Sequence, residues 1–400
     1  MADQSAIAWC DSTFNPWLGC TKVSPACDHC YAERLVTTRL KHDAWGPGAQ
    51  RVRTAESTWQ APRRWAKRPF LECPNCAWRG DQAAINRARN VRQADVEKAG
   101  VFPYCGTDMM PTRRRVFCAS LADVFDNEEP WQWRADLLQL VDLTPEIDWL
   151  LLTKRIGNVA PMLRGLSRAA GGVSAWDLWP RPNVWLGITV CNQAEADRDI
   201  PKLLRVPAKV RFVSIEPMLG PVDIRASLAK LFRDATGPAR GIDWVICGGE
   251  SGPDARPMHP EWPRGLRDQC AVMGVPFFFK QWGEWAPRGP ESMGYPLVDD
   301  VPRVRLTDRG HNGQDLAARG GNDVWMQRSG TKANGSLLDG KEHQAWPPFS
   351  TLLDEMTRAL ERALDDNARH CRDSLYALLC RDFPDAADEL LWTAIDRVAL

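Results

Sequence analysis

The stretch IDWVICGGES at residues 242–251 decides the fold, because a short apolar run ends there in glycine and polar side chains. Similar runs recur along the chain, and most are followed by a segment with helical spacing. Continuous apolar runs of this length are typical of strands that are buried on both faces of a parallel sheet. The other runs are RVFCAS at 115–120, DWLLLTK at 148–154, NVWLGIT at 183–189, VRFVSIE at 210–216 and VPFFFK at 275–280.

Amphipathic segments separate several of these runs, at residues 130–144, 192–206 and 260–274, and they predict crossover helices. Alternating strands and helices indicate a parallel α/β architecture. With AIAW at residues 6–9 counted as the first strand, there are about seven βα units, which favours a complete or partial (β/α) TIM-type barrel. A doubly wound open sheet is the alternative.

Four regions of the chain differ in composition. The barrel is predicted over residues 1–283, with a cysteine-containing insertion at 71–111 between the first two units. Residues 284–347 are rich in Gly, Pro, Asp and Arg, which predicts a loop or lid segment. Residues 348–400 have helical periodicity and predict a C-terminal helical module, a candidate surface for a protein partner.

The charge balance excludes a uniformly basic protein. The chain has 51 Lys and Arg residues against 51 Asp and Glu residues, so its formal net charge is zero. Two local basic clusters, at residues 62–69 and 111–117, are either solvated faces or sites for a polyanionic partner. No uncharged apolar run approaches the roughly 18 residues that a membrane span needs, so we expect a cytoplasmic protein with no membrane partner.

A cysteine loop, GCTKVSPACDHCYAERL at residues 19–35, places Cys20, Cys27 and Cys30 ahead of a predicted helix. With 13 cysteines and no secretory leader, free thiols and metal ligands are expected rather than disulfides. Structural zinc would need a fourth ligand, for which His29 and Cys10 are the nearby candidates. Three thiols alone suit a [4Fe–4S] cluster whose fourth iron is open to a small molecule.

A second cysteine set lies in the insertion. Cys73 and Cys76 form a C-x-x-C pair, and Cys105 belongs to a related segment in which Phe102 replaces the other cysteine. One interpretation is a zinc site completed by a residue such as His42 or Asp108. The other is a relic that folds without metal.

Polar residues follow the predicted strands, at the edge where α/β proteins bind ligands. The candidate catalytic residues there are Glu216, Lys154 and Lys280. A structural ion pair with a basic residue such as Lys154, Arg155 or Arg211 is the alternative role for Glu216 and Glu250. One interpretation of Gly248 and Gly249 in GGES at residues 248–251 is that they only permit a tight turn after the strand. His259 is expected to cap the helix that follows it.

Several motifs together resemble one family. Over roughly residues 5–347 the chain is similar to the phage-associated three-cysteine-motif family, and its cysteine loop resembles that of radical S-adenosylmethionine (SAM) enzymes such as spore photoproduct lyase. The first gap here is six residues, whereas the usual spacing in those enzymes is C-x3-C-x2-C. The motifs are NPWLGCTKVSPACDHCYAERL, RVFCASLADVFD, LLTKR, PNVWLGITV, RFVSIEPMLGPVD, DWVICGGESGPDARPMHPEW, RDQCAVMGVPFFFKQWGEW and LLDGKEHQAWP.

This resemblance implies a set of roles. Cys20, Cys27 and Cys30 would bind the cluster, SAM would occupy the open iron, and an electron donor would reduce it. Tyr31 matches the aromatic residue that often follows the last cysteine. The residues that match the SAM-contacting GGE segment are Gly248, Gly249, Glu250 and Ser251. Contact with this cofactor is the other interpretation of Gly248 and Gly249, beside the tight turn.

Two functions follow from these observations. The first is an iron–sulfur, SAM-dependent radical enzyme that modifies or repairs a nucleic-acid base or nucleotide. The second is a metal-stabilised module that binds nucleic acid or protein without turnover. A hydrolase without metal has no support, because the G-x-S-x-G, P-loop and H-E-x-x-H motifs are absent from the sequence.

Overall fold

The computed structural model describes residues 2–73, 77–89, 109–170, 179–228, 241–308 and 323–347, together with residues 375–377, 379–380, 391 and 395. The chain divides into two compact units, Met1–Ala345 and Trp346–Leu400, and every element discussed below belongs to the first. Among these described residues, no helix is long and apolar enough to cross a membrane.

Seven parallel strands form the central sheet, and they pair in the order in which they occur along the chain. A doubly wound sheet reverses its strand order at a switch point, and this sheet has no reversal. The alternative of a doubly wound sheet is therefore wrong, and the strand order is compatible with the predicted partial barrel. The strands are β1 Ser12–Phe14, β2 Arg114–Cys118, β3 Ile147–Thr153, β4 Val184–Thr189, β5 Val210–Ile215, β6 Trp244–Gly248 and β7 Phe277–Gln281.

Helices connect these strands, and the three helices predicted from amphipathic spacing are present. In the described ranges the helices are α1 Tyr31–Arg34, which continues as a π-helix over Leu35–Arg39, α2 Glu56–Ala66, α3 Gln82–Arg89, α4 Trp131–Asp142, α5 Ile156–Ala170, α6 Gln193–Arg205, α7 Arg225–Leu228, α8 Glu261–Met273 and α9 Thr331–Asn334, with 3₁₀ turns at Pro25–Cys27 and Glu291–Met293. Small antiparallel pairings join Trp17–Leu18 to Val52–Arg53, Phe70–Glu72 to Arg79–Asp81 and Met110–Thr112, Val324–Gln327 to Ala286–Pro287 and Arg303–Leu306, and Leu337–Leu338 to Lys341–Glu342.

The sheet is curled, and Trp9 gives the scale of the curl. The ring of Trp9 lies 4.6 Å from that of Phe117 on β2 and 6.4 Å from that of Phe212 on β5. The three strand spacings between β2 and β5 would span about 14 Å in a flat sheet. Phe212 also contacts Trp244 on β6 at 5.8 Å. Aromatic side chains therefore fill the concave side of a half-barrel.

The first strand was placed wrongly from sequence. Residues 6–9 form a turn, and the pairing with β2 begins at Ser12–Phe14. Ser12 and Thr13 are both buried in spite of their hydroxyl groups, because Ser12 Oγ donates to Asp3 O at 2.7 Å and Thr13 Oγ1 accepts from Ala2 N at 3.2 Å. A buried strand built from hydrogen-bonded polar residues has no apolar run to reveal it.

Short antiparallel segments cover both edges of the sheet. Ala2 bridges to Thr13 on β1, and Gln344 bridges to Phe278 on β7. Exposed edge strands are a template for unwanted pairing, so covering them stabilises an open sheet. In the described part of the chain β1 and β7 do not pair with each other, so the barrel stays open.

The insertion at 71–111 is described in part. Its three short strands form an antiparallel sheet, and Cys73 is buried where the first of them ends. Cys76 and Cys105 lie outside the described residues, so the zinc site stays a prediction. The basic cluster at residues 111–117 was expected to be a solvated face or a site for a polyanionic partner. Its Arg114 and Arg115 are instead buried in β2.

Gly187 on β4 makes room for the interior aromatic residues. A Cβ atom at this position would lie 2.3 Å from the ring of Phe212. We predict that Gly187→Ala lowers the free energy of unfolding by about 1–3 kcal/mol, the usual cost of overpacking. Urea denaturation would measure this as a lower midpoint at an unchanged slope.

Gly165 in α5 supplies the matched control, because a Cβ atom there meets nothing within 4 Å. Gly165→Ala should instead stabilise by about 0.5–1 kcal/mol, since alanine has the higher helix propensity. Equal effects of the two substitutions would contradict the packing explanation.

The boundary of the first unit predicts which truncation is tolerated. Phe279 N donates to His343 O at 2.6 Å and Ala345 N donates to Phe277 O at 3.1 Å, so residues 343–345 cover the β7 edge. A chain that stops after Pro347 should stay folded and monodisperse in size-exclusion chromatography. A chain that stops at Ser336 exposes the β7 edge and should aggregate. Comparable behaviour of the two truncated chains would contradict a boundary of the first unit near residue 345.

Candidate functional site

One cavity of about 480 Å³ lies at the carboxyl ends of the parallel strands. Its floor is apolar, with Ile7, Trp9 and Phe117, and its walls are polar. A volume of this size is in the range of small-molecule and cofactor sites. The sequence-predicted site residues that line it are Cys20, Cys27, Cys30, Tyr31, Lys154, Glu216, Gly249, Glu250, Ser251 and Lys280.

Gly19 determines the entry to the cysteine loop. Its φ is +107°, a backbone conformation that favours glycine, and a Cβ atom would lie 2.2 Å from the carbonyl oxygen of Ala44. Ser24 then caps the turn Pro25–Cys27 by accepting from Ala26 N at 3.1 Å, and Cys30 immediately precedes α1. The loop is therefore a folded wall of the cavity.

Arg155, at the end of β3, contacts the first thiol of the loop. Its Nη1 donates to Cys20 Sγ at 3.4 Å and to Asp123 Oδ2 at 3.0 Å, and its Nη2 donates to Thr21 O at 2.6 Å. Arg155 was a candidate partner for Glu216 or Glu250, and the structure pairs it with Asp123 instead. A hydrogen-bond donor on sulfur favours the thiolate form.

Burial acts in the opposite direction on the thiols. It raises the pKa of Cys20 to about 12, with a further increase from the nearby Asp123. Burial also raises the pKa of Cys30, and the positive charge of Lys154 partly offsets this. Both side chains are therefore protonated thiols at neutral pH in the unloaded chain, and a metal would have to displace their protons.

Glu216 lies just after β5, and three groups hold its carboxylate. Trp9 Nε1 and Ser214 Oγ each donate to Oε2 at 3.1 Å, while Lys280 Nζ lies 2.9 Å from Oε1. The ion pair expected as the alternative to a catalytic role is present, but its partner is Lys280 on β7. Two of the three predicted catalytic residues are thus in contact, and their charges balance.

Lys154, the third predicted catalytic residue, is the cation that remains available. It lines the cavity, and within the described ranges it forms no ion pair. An unpaired ammonium group beside buried thiols and an apolar floor can bind the anionic part of a ligand.

Glu250 is buried and joins β6 to the cysteine loop through Arg256. Arg256 donates from Nη2 to Oε1 at 2.6 Å and from Nε to Oε2 at 2.8 Å. The same guanidinium reaches Pro25 O at 2.9 Å and Asp28 Oδ2 at 3.0 Å. His29 Nδ1 also lies 3.3 Å from the Glu250 carboxylate. Glu250 therefore positions the loop that carries Cys27.

The glycines of the GGES segment have a packing explanation. A Cβ atom on Gly249 would lie 1.8 Å from Trp282 O, and one on Gly248 would lie 3.0 Å from Glu216 Oε1. Gly248 is not on the cavity wall. Close approach of Trp282, just after β7, and of Glu216 thus accounts for both glycines. Ser251 Oγ accepts from Gln281 Nε2 at 2.9 Å.

Within the described residues, neither candidate for a fourth zinc ligand completes a metal site with the three thiols. His29 lines the same cavity, but its Nδ1 lies 3.3 Å from the Glu250 carboxylate. Among the described residues, no group of three or more His, Cys, Asp or Glu side chains is arranged to hold a metal ion. Cys10 lies off the cavity wall, and its thiol donates to Ser5 Oγ and Ile7 O.

Comparison with known proteins identifies the family. Residues 4–347 match the family described as protein of unknown function (DUF5131). The chain belongs to that family. No curated protein and no solved structure matches it.

Other predicted residues have structural roles. His259 is buried and its Nδ1 accepts from the backbone N–H of Glu261 at the start of α8, so the predicted cap is confirmed. Cys118, Cys191, Cys247 and Cys270 are all buried, as expected for small apolar side chains. Sequence reasoning missed Trp9 and Arg256, whose partners lie far away along the chain; the segment DARPMH around Arg256 carries no local signal for its role.

The Glu250 contacts predict a dependence of stability on pH. Burial raises the pKa of this carboxyl, but the hydrogen bonds and charge of Arg256 outweigh it, so the pKa is lowered. A carboxyl group whose pKa is lowered in the folded state stabilises the fold at pH values above its unfolded pKa of about 4.3. This contribution is lost as pH falls through the folded value.

We therefore expect Glu250→Gln to be less stable than the parent chain at pH 7 and the difference to shrink towards pH 3. Urea midpoints across this range measure it. Glu33→Gln is the control, because Glu33 pairs with Lys22 at the surface; its smaller effect should stay below about 1 kcal/mol. A Glu250→Gln difference that grows in acid would contradict this sign.

Proposed function

We propose that this cavity binds an iron–sulfur cluster through Cys20, Cys27 and Cys30 together with SAM. The chain is then a radical enzyme that acts on a nucleic-acid base or nucleotide. The observation that carries the proposal is the position of three cysteine side chains on one cavity at the catalytic edge of a partial barrel. A zinc ribbon or knuckle has no need of such a cavity.

The donor set fits a cluster that has three protein ligands. A four-iron cluster attaches each cysteine to a different iron atom, so its ligands need not converge on one point as they do around zinc. Arg155 and Lys154 lie next to the thiols and offset the negative charge that thiolates bring. No further thiol lines the cavity among the described residues, which leaves one position for a small molecule.

The rest of the cavity suits SAM. When bound and reduced, the cluster supplies the electron that cleaves a carbon–sulfur bond of SAM, giving methionine and, after hydrogen transfer, 5′-deoxyadenosine. Lys154 is placed to bind a carboxylate, and Glu216 can accept a hydrogen bond from an amino group. The apolar floor, with Trp9 and Phe117, offers a dry surface for an adenosine or a substrate base.

Tyr31 and the Glu216–Lys280 pair orient the bound molecules. The Tyr31 hydroxyl donates to Ser120 O at 2.9 Å, which fixes the ring on the cavity wall. Glu216 is held from three directions, so its carboxylate does not have to reorganise when a ligand binds. These residues bind the ligand and exclude water from the cavity. An external electron donor provides the electron.

Anaerobic reconstitution tests the proposal. The parent chain should bind iron and sulfide in similar amounts, and with dithionite it should convert SAM to 5′-deoxyadenosine, detected by liquid chromatography. Replacing Cys20, Cys27 and Cys30 together by Ala should abolish both properties. Lys154→Ala should keep the iron and weaken SAM binding at least tenfold, because one charge contact is lost.

Cys270→Ala is the matched control, since Cys270 is a buried thiol on α8, away from the cavity wall. It should keep iron and SAM cleavage. A colourless parent chain that carries zinc and leaves SAM intact would reject the radical enzyme and favour the metal-stabilised binding module.

A further inference from the structure

A second, larger groove lies against the outer side of the cysteine loop. Its volume is about 900 Å³, and it is formed by the helical segment from Tyr31 to Arg39 and by residues 251–254. Four residues line both this outer groove and the inner cavity: His29, Cys30, Tyr31 and Ser251. The two spaces are therefore neighbours separated by one short wall.

The charges of the outer groove leave two arginines available. Its carboxylates Asp28 and Glu33 are engaged by Arg256 at 3.0 Å and by Lys22 at 2.9 Å. Arg34 and Arg39 are exposed, and in the described part of the chain neither forms an ion pair.

Asp254 is the one carboxylate lining the groove that forms no ion pair with a cation among the described residues. Two guanidinium groups thus face one free acid, and the groove carries a local excess of positive charge.

The π-helix places these two arginines on the same side. Leu40 N donates to Leu35 O at 3.0 Å, an i→i+5 bond that widens the turn. In an α-helix, positions five apart diverge by about 140°, since each residue advances by about 100°. In the wider turn Arg39 instead comes back towards Arg34, and both line the groove. Ala32 and Val36 are buried on the opposite face and anchor the segment.

Paired guanidinium groups along one helix suit a ligand with successive phosphates. The guanidinium fork binds phosphate oxygens in a bidentate manner, and phosphate contacts position a nucleic acid without reading its sequence. Enzymes that modify a base must take it out of the stack and into a pocket. The wall shared by the groove and the cavity is where such a base would pass, and the exposed ring of Tyr31 lies on it.

We propose that the outer groove binds the phosphodiester backbone of a single-stranded nucleic acid through Arg34 and Arg39, so that one base passes Tyr31 into the inner cavity. This inference rests on the proposed function and narrows its substrate from a base or nucleotide to a strand. It assigns strand binding to Arg34 and Arg39, which both follow the last cysteine of the loop.

Fluorescence anisotropy on the full-length, metal-free chain tests the groove. The probes are end-labelled 12-nucleotide single strands of DNA and of RNA, titrated at several KCl concentrations. The double variant that carries Arg34→Gln and Arg39→Gln should bind the strand at least tenfold more weakly than the parent chain at low salt. The slope of log K against log salt should fall by about 1.4, because two phosphate contacts at about 0.7 each are lost. Preference for one probe identifies the sugar that the site accepts.

The control replaces two exposed arginines outside the groove, Arg63 and Arg64 on α2, by Gln. It should leave affinity and slope within a factor of two of the parent chain. An equal loss in both double variants would assign binding to general surface charge and overturn the inference. Failure of the parent chain to bind either strand would overturn it as well.

Metal loading separates this inference from the proposed function. The Arg34 and Arg39 variant should still bind iron and cleave SAM, because neither side chain lines the inner cavity. Intact SAM cleavage with unchanged strand affinity would reject the groove alone. Groove-dependent strand binding without any SAM cleavage would reject the radical enzyme and retain the groove.

Discussion

The cavity depends on two buried guanidinium groups, those of Arg51 and Arg155. Arg51 lies 2.8 Å from Asp126 and donates to Thr21 Oγ1 at 2.6 Å. Thr21 follows Cys20, whose thiol accepts a hydrogen bond from Arg155. Both arginines are almost fully buried. Removing one partner from such a pair leaves an uncompensated charge and costs about 3–5 kcal/mol. The first thiol therefore takes its place only when the loop, the segment after β2 and the end of β3 are all folded.

Two of the three thiols are tied to different parts of the sheet, and the third precedes a helix. Arg155 at the end of β3 contacts Cys20, Arg256 after β6 contacts the turn that contains Cys27, and Cys30 immediately precedes α1. The separation of Cys20 from Cys27 thus depends on the sheet as well as on the loop. A site held in this way is preorganised for its ligand, since little of the loop's conformational freedom remains to be lost on binding.

The sequence predicts the repeated strands and helices well because buried parallel strands need continuous apolar runs. It fails at Ser12–Phe14, where hydroxyl groups find partners within the fold, and at Arg114 and Arg115, whose charge suggested a surface. For the candidate site, the strand ends indicate which residues gather, since they share one edge of the sheet. They cannot indicate that Lys280 pairs with Glu216, because such pairings depend on the curl of the whole sheet.

Glu216 links that curl to the chemistry of the cavity. Its carboxylate is bound by Trp9, which precedes β1, and by Lys280 on β7. Six strand spacings would separate β1 from β7 by about 29 Å in a flat sheet, too far for one carboxylate to reach both. In a closed barrel of eight strands, layers of side chains fill the interior. Here aromatic rings fill only its lower part, and covered edges let seven strands curl without closing. The carboxyl end of the interior is consequently left for a ligand, and Glu216 is fixed there by the segment before β1 and by β7.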